Sequence, residues 1–201
     1  MAEAEVAAKA WRGIDELAEL VGVYCWVENR IFEICGAWAS APDKIADPDP
    51  DPDPDPALRV WCAAVSRRHG LLAARWAERL PVRAGVDAAA LVAAPPGPLS
   101  DALDALGTGA DLSAGVAALV QTVLPRLQGV YAAHGHAATP VSEAPVLEVL
   151  AAAQRVVGGE VVVGQALVEG TAEGLTRGAV LGEELERAFA ATSVFPAVPT
   201  S

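Results

Sequence analysis

The chain has 201 residues, of which 53% are hydrophobic and 5% aromatic, and its formal net charge is −12. This length is enough for one domain with a substantial core. Arg67-Arg68 is the only adjacent basic pair, so the composition argues against nucleic acid and anionic membrane surfaces as partners.

Neither a secretory signal nor a membrane span is predicted. The start of the sequence carries early acids and no long apolar stretch, and no uninterrupted run of about 18 apolar residues follows. Cys25, Cys35 and Cys62 are odd in number and fall within helical patterns, which indicates small buried side chains rather than a disulfide framework. We therefore expect a cytoplasmic protein.

The first long helix is predicted from about Ile14 to Ser40. Apolar residues recur there at alternating spacings of four and three, which is typical of a helix face that packs against a partner. This stripe contains Leu17, Val21, Tyr24, Ile31, Cys35 and Trp38. Glu28 falls at its centre, and a carboxylate in that position must pair, bind a metal, stay protonated or line a wet cavity.

Residues 41–56 are predicted to form an exposed connector, because Asp47 to Pro56 is five Asp-Pro repeats. A second helix should follow from Pro56 to Leu80. Its stripe contains Leu58, Cys62, Val65, Leu72 and Trp76. His69 fills the missing position in that series.

Short helices are expected at 87–93 and 99–106, followed by a third long helix from about Ser113 to His134. Its stripe contains Ala117, Val120, Leu124, Leu127 and Tyr131. His134 continues the series. Pro125 lies inside this segment and should kink or divide the helix.

A fourth long helix should begin at Thr139-Pro140, with Glu160 next on its apolar stripe. The valines at 161–163 allow a strand over residues 160–170, but without a second strand to pair with we favour helix. A last short helix is expected at 181–191 and a frayed tail at 192–201. Four long helices with apolar stripes bury them most easily as a single-domain bundle over residues 1–201, and the fold class is all-α.

Three segments resemble a group of actinobacterial ferritin-like helical-bundle proteins. They are YCWVENRIFEICGAWAS (24–40), RRHGLLAARWAERLP (67–81) and LPRLQGVYAAHGHAATPVSEAPVLEVL (124–150), and together they cover under half of the chain. The resemblance implies a ferritin-like four-helix bundle with extra short helices.

Ferritin-like carboxylate proteins bind two metals through single glutamates on two helices and Glu-x-x-His on two others. This chain departs from that pattern: Ser66 stands three residues before His69, and Val163 stands three residues after Glu160. The departure puts a two-metal site in doubt, together with oxygen activation and iron storage.

Extrapolating the four stripes places Glu28, His69, His134 and Glu160 on the inward faces of four helices. Two carboxylates and two imidazoles are a suitable ligand set for one divalent metal such as Fe, Mn or Zn. Without a metal, the same groups are suited to acid–base work.

Each of these residues also has a purely structural interpretation. Glu28 is able to pair with Arg67 or Arg68, and His69 to bond a core carbonyl. His134 and His136 lie near a helix end, where cations favour the terminal carbonyls. Glu160 has the alternative of facing solvent, as charged residues mostly do.

The leading hypothesis is an enzyme that acts on a small, largely apolar molecule in an internal cavity, with Glu28 and His69 as catalytic residues. The alternative is a non-catalytic binding or assembly protein that has lost the metal site. This alternative is compatible with a homodimer formed through an apolar helix face. Sequence motifs for nucleophilic hydrolases, nucleotide-phosphate loops and zinc proteases are missing from the chain.

Overall fold

A computed structural model describes residues 12–41, 56–109, 111–169 and 172–192. Within these ranges the regular secondary structure is helical and no strand is present, so the all-α prediction is confirmed. Most of the expected Asp-Pro connector (42–55) and of the C-terminal tail (193–201) lies outside the described residues. Among the described helices, none combines the length and the continuous apolar character that a membrane span requires.

The four long helices that the sequence predicts are found close to the expected positions. In chain order the α-helices of the described residues are α1 (Ile14–Ser40), α2 (Pro56–Ala77), α3 (Leu99–Gly109), α4 (Leu112–Ala118), α5 (Leu124–Ala137), α6 (Pro140–Val168) and α7 (Ala172–Ala190). Residues 160–168, for which a strand had been the alternative, continue α6 without interruption. The short helix expected at 87–93 is only a 3-10 turn at Ala89–Leu91.

The predicted third helix is one helical run divided near its middle. A π-helical turn, Leu119–Val123, joins α4 to α5 and ends two residues before Pro125. Proline has no backbone N–H, and its ring clashes with the carbonyl four residues earlier in a regular α-helix. The wider π turn removes this conflict, which is how Pro125 divides the helix.

The helices pack around one core. α1 lies along α2, α5 lies along α6, and α2 also contacts α6, while α7 packs against α4, the π turn and α3. The last helix, α7, begins at Ala172 and is longer than the helix expected at 181–191, and Gly178 within it is a packing position. A Cβ on Gly178 would lie 2.5 Å from the Cβ of Ala117, so glycine allows α7 to approach α4 closely.

Gly22 allows the 3-10 turn at Ala89–Leu91 to approach α1 closely. A Cβ at this position would lie 2.8 Å from the carbonyl carbon of Leu91 and closer still to its oxygen. We expect Gly22→Ala to lower the free energy of unfolding by about 1–3 kcal/mol, because backbone atoms have to move. Gly159→Ala is the matched control: its Cβ would meet nothing within 4 Å.

Urea unfolding followed by circular dichroism measures both variants. Gly159→Ala should stabilise the protein by up to about 1 kcal/mol, through the higher helix propensity of alanine. An equal increase in the free energy of unfolding of the two variants would contradict the close approach of Leu91 to α1.

Candidate functional site

Glu28 lies at the centre of α1 and is completely buried. One carboxylate oxygen, Oε1, accepts a hydrogen bond of 2.5 Å from the hydroxyl of Tyr131 on α5. The other oxygen is bonded by Nδ1 of His69 on α2. Glu28 therefore pairs with a histidine from the neighbouring helix rather than with the arginines considered from sequence.

His69 is also completely buried and lies between two carboxylates. Its Nε2 is 2.8 Å from Oε2 of Glu160 on α6, while Nδ1 faces Glu28. Burial lowers the pKa of His69, but the negative charge of Glu28 and the hydrogen bonds to both glutamates outweigh this effect and raise it to about 10. At neutral pH His69 is thus an imidazolium that donates from both ring nitrogens, and its partners are carboxylates rather than a core carbonyl.

Glu160 is 2% exposed, so the alternative in which it faces solvent is wrong. Its second oxygen, Oε1, lies 3.1 Å from Nη1 of Arg68, whose side chain reaches the surface. Two carboxylates are thereby balanced by one imidazolium and one guanidinium. We call Glu28, His69, Glu160, Arg68 and Tyr131 the buried ion network; buried charges are tolerated when they are paired and hydrogen-bonded in this way.

The buried ion network does not fit a metal ion in this arrangement. Both nitrogens of His69 are engaged by carboxylates, so its ring occupies the space between Glu28 and Glu160 where an ion would have to sit. Among the residues that the structure describes, no group of three or more His, Cys, Asp or Glu side chains is placed to hold a metal. The structure brings together three of the four expected ligands, but as an ion bridge.

His134, the fourth expected ligand, belongs to a different cluster. Its Nε2 is 2.8 Å from Oε2 of Glu143 on α6, and its Nδ1 is 3.2 Å from the hydroxyl of Tyr24 on α1. Glu143 also accepts a hydrogen bond from the backbone N–H of Thr139, and Arg12 lies 3.6 Å from its Oε2. We call Tyr24, His134, Glu143 and Arg12 the cleft cluster.

The protonation states within the cleft cluster follow from its contacts. Burial, together with the positive charge of Arg12, lowers the pKa of His134 more than the contact with Glu143 raises it. Burial raises the pKa of Glu143, but the hydrogen bonds from His134 and Thr139 outweigh this and leave it below its usual value. A neutral His134 therefore donates from Nε2 to the Glu143 carboxylate, and its Nδ1 accepts the proton of Tyr24. Burial raises the pKa of Tyr24, so the phenol stays protonated.

The cleft cluster borders a cavity of about 1020 Å³ between α1, α5 and the segment around residues 90–96. This volume is at the upper end of the range for small-molecule sites, about 300–1,000 Å³. Most of the lining is apolar, and Tyr24, His134 and Arg12 contribute polar groups. The walls consist of Arg12, Glu16, Glu19, Leu20, Val23, Tyr24, Ala90, Leu91, Ala93, Ala94, Pro95, Pro96, Val130, Ala133, His134 and Ala137.

Aromatic rings connect the buried ion network to the cleft cluster. The rings of Tyr24 and Tyr131 meet edge to face, with centroids 5.0 Å apart, and Trp76 packs against both at 5.1 and 5.7 Å. The two polar clusters are therefore neighbours in one core, separated by aromatic side chains.

Sequence reasoning had not identified Tyr24, Glu143 or Arg12 as site residues. Tyr24 had a usable signal, because it lies one helical turn before Glu28 on the same stripe. Glu143, in the first turn of α6, looks from sequence like an ordinary helix-start acid. The three cysteines, by contrast, are free and buried as predicted.

In comparisons with protein-family models, curated proteins and solved structures, the chain matches none of them significantly. Function therefore has to be inferred from the geometry of the two polar clusters and of the cavity beside Tyr24.

Proposed function

We propose that this chain binds a small, largely apolar molecule in the cavity beside Tyr24 and His134. The observation that carries the proposal is the chain of hydrogen bonds from Glu143 through His134 to Tyr24, which ends at the wall of an apolar cleft. Such pockets commonly orient a ligand with a few polar groups. The ligand that fits is an apolar body with one hydrogen-bonding oxygen or acidic proton.

The cleft cluster is suited to move a proton. The ionised Glu143 fixes the tautomer of His134, so that Nδ1 is left as the basic nitrogen. A proton leaving the ligand would pass to the Tyr24 oxygen while the Tyr24 proton passes to Nδ1, and Glu143 would stabilise the imidazolium that forms. Tyr24 itself is never required to be ionised, in agreement with its raised pKa.

Arg12 supplies a second polar contact. Its Nη1 is buried and has no hydrogen-bond partner among the described residues, although it lies near Glu143. A ligand oxygen in the cavity would satisfy this donor, and unsatisfied buried donors are unfavourable. Glu16 and Glu19 on the same wall disfavour a strongly anionic ligand.

Filling the cavity should weaken binding. Ala133 lines the cavity and is exposed, so Ala133→Trp should leave the fold intact and weaken binding of the neutral probe N-phenyl-1-naphthylamine by about tenfold or more, through loss of apolar burial. Val162→Trp is the control, because Val162 is 68% exposed on α6 and does not line the cavity. Fluorescence titration measures both.

Tyr24→Phe and His134→Gln then separate turnover from binding. Both variants should still bind the probe. If the cleft cluster moves a proton during catalysis, neither variant should turn over a substrate that screening identifies for the wild-type chain. Retained turnover in both variants would show that the cleft cluster does not carry the chemistry, whereas a wild-type chain that binds the probe but turns over none of the screened substrates supports the alternative, a binding protein without catalysis. Probe binding that is unaffected by Ala133→Trp would refute the cavity as the site.

The catalytic roles expected for Glu28 and His69 stay a prediction, and their complete burial favours the cleft cluster for contact with a ligand. We also propose that the bundle is ferritin-like. The supporting observation is that α1, α2, α5 and α6 all contribute to the buried ion network, with the His69 imidazolium between the carboxylates. A homodimer and a cytoplasmic location likewise stay predictions from the sequence.

A further inference from the structure

A second cavity, of about 500 Å³, lies between α2 and α6 on the side of the bundle reached by Arg68. Arg68 and Arg75 are seven residues apart, which is two helical turns, and so they share one face of α2. Arg155 enters from α6. Gly159, one turn further along α6, leaves open space where a side chain would stand. We call this cavity the arginine groove.

The arginine groove is positively charged, although the chain as a whole carries −12. Glu160 is the acidic residue in its lining, and that carboxylate is already bonded by the His69 imidazolium and by Arg68. Within the described part of the chain, Arg75 and Arg155 form no ion pair. Two guanidinium groups thus face the groove with their charge uncompensated.

Trp61 provides a further donor in the wall of the groove. Its side chain is 5% exposed, and its indole N–H is buried without a hydrogen-bond partner among the residues described. Among the described residues the indole N–H groups of Trp38 and Trp76 are also buried without a partner, but Trp61 is the one of the three that lines the groove, where a ligand acceptor would satisfy it. The remaining lining, including Val156 and Val163, is apolar.

We propose that the arginine groove binds a small organic oxyanion, with its carboxylate or phosphate group held by Arg75 and Arg155 and its apolar part against Val156 and Val163. Guanidinium groups present planar pairs of donors that match both kinds of oxyanion. Arg68 remains with Glu160. This site is separate from the cavity beside Tyr24, and its test does not depend on the function proposed for that cavity.

The test is titration of the full chain at low ionic strength with two probes, hexanoate and inorganic phosphate. Heteronuclear NMR follows the indole N–H resonance of Trp61, which is assigned by its loss in Trp61→Phe, and calorimetry gives the affinity. We expect saturable binding of at least one probe with a shift of this resonance. Tighter binding of hexanoate identifies a carboxylate ligand with an apolar body, and tighter binding of phosphate identifies a phosphorylated ligand.

The double variant R75Q/R155Q should weaken binding by about tenfold or more, because charge-assisted hydrogen bonds are lost. Both side chains are exposed, so the fold should be unaffected. The matched control is R67Q/R187Q, which removes the same charge from exposed positions that do not line the groove and should change the affinity less than twofold. Equal weakening in the two double variants, or no saturable response to either probe, would overturn the proposal.

Discussion

Glu28→Ala is expected to lower the free energy of unfolding by about 3–5 kcal/mol, the typical cost of removing one partner from a buried ion pair. The substitution leaves the His69 imidazolium with Glu160 alone, and it leaves the hydroxyl of Tyr131 without its acceptor, in a region that water does not reach. Urea denaturation at pH 7, followed by circular dichroism, measures the change.

Two further variants make this result specific. Glu33→Ala removes an acid from the same helix. Glu33 forms a surface ion pair with Arg30, so this variant should lower the free energy of unfolding by less than about 1 kcal/mol. Glu28→Gln keeps an acceptor for Tyr131 but removes the charge facing His69, so its cost should lie between the other two. If Glu28→Ala costs no more than Glu33→Ala, Glu28 is not paired with a charged His69 in the core.

Stability is expected to fall by about 2–3 kcal/mol between about pH 6.5 and 8.5, with a slope approaching 1.4 kcal/mol per pH unit. The folded pKa of His69 is raised from 6.5 to about 10. Its stabilising effect is therefore complete below the unfolded pKa, and it is lost as the pH rises towards the folded one, because the unfolded chain releases the proton first. Urea unfolding at several pH values measures this slope.

Other shifted groups act mainly outside this window. Burial raises the pKa of Cys25 and Cys35 above 9.0, so their effect on stability appears mainly at higher pH. The pKa of His134 is lowered in the folded protein, so below pH 6.5 the unfolded chain binds more protons at this residue, and the free energy of unfolding should rise with pH there. Glu28→Gln should reduce the slope above pH 6.5, since the charge that holds the proton on His69 is gone. A wild-type profile that is flat over this window would show that His69 is neutral in the folded protein.

The two polar clusters lie at different levels along the helix axes. This displacement explains why Glu28, His69, His134 and Glu160, although all face inward, do not form one site. On α1, Tyr24 precedes Glu28 by one turn; on α5, Tyr131 precedes His134 by nearly one turn. The contacts pair Tyr131 with Glu28 and His134 with Tyr24, so α1 and α5 are antiparallel. At 1.5 Å of rise per residue, His134 meets α1 about 6 Å from the level of Glu28.

The sequence was sufficient to predict the all-α class, the bounds of α1 and the inward position of Glu28, His69 and Glu160. These follow from helical periodicity, a local property that depends only on residue spacing along one helix. The same periodicity placed His134 correctly on a buried face. It also predicted the division of the helix near Pro125, because the missing N–H and the ring clash of proline act within a single turn.

Which of these residues meet is set by the packing of the helices against one another. The bridge of His69 between Glu28 and Glu160, and the pairing of His134 with Glu143, depend on the axial offset and rotation of one helix against another, which spacing within a helix does not specify. The cavity beside Tyr24 depends further on the approach of Leu91 to Gly22, a contact between residues 69 positions apart. Long-range packing therefore turned a predicted set of metal ligands into an ion bridge and a separate cluster at a cleft.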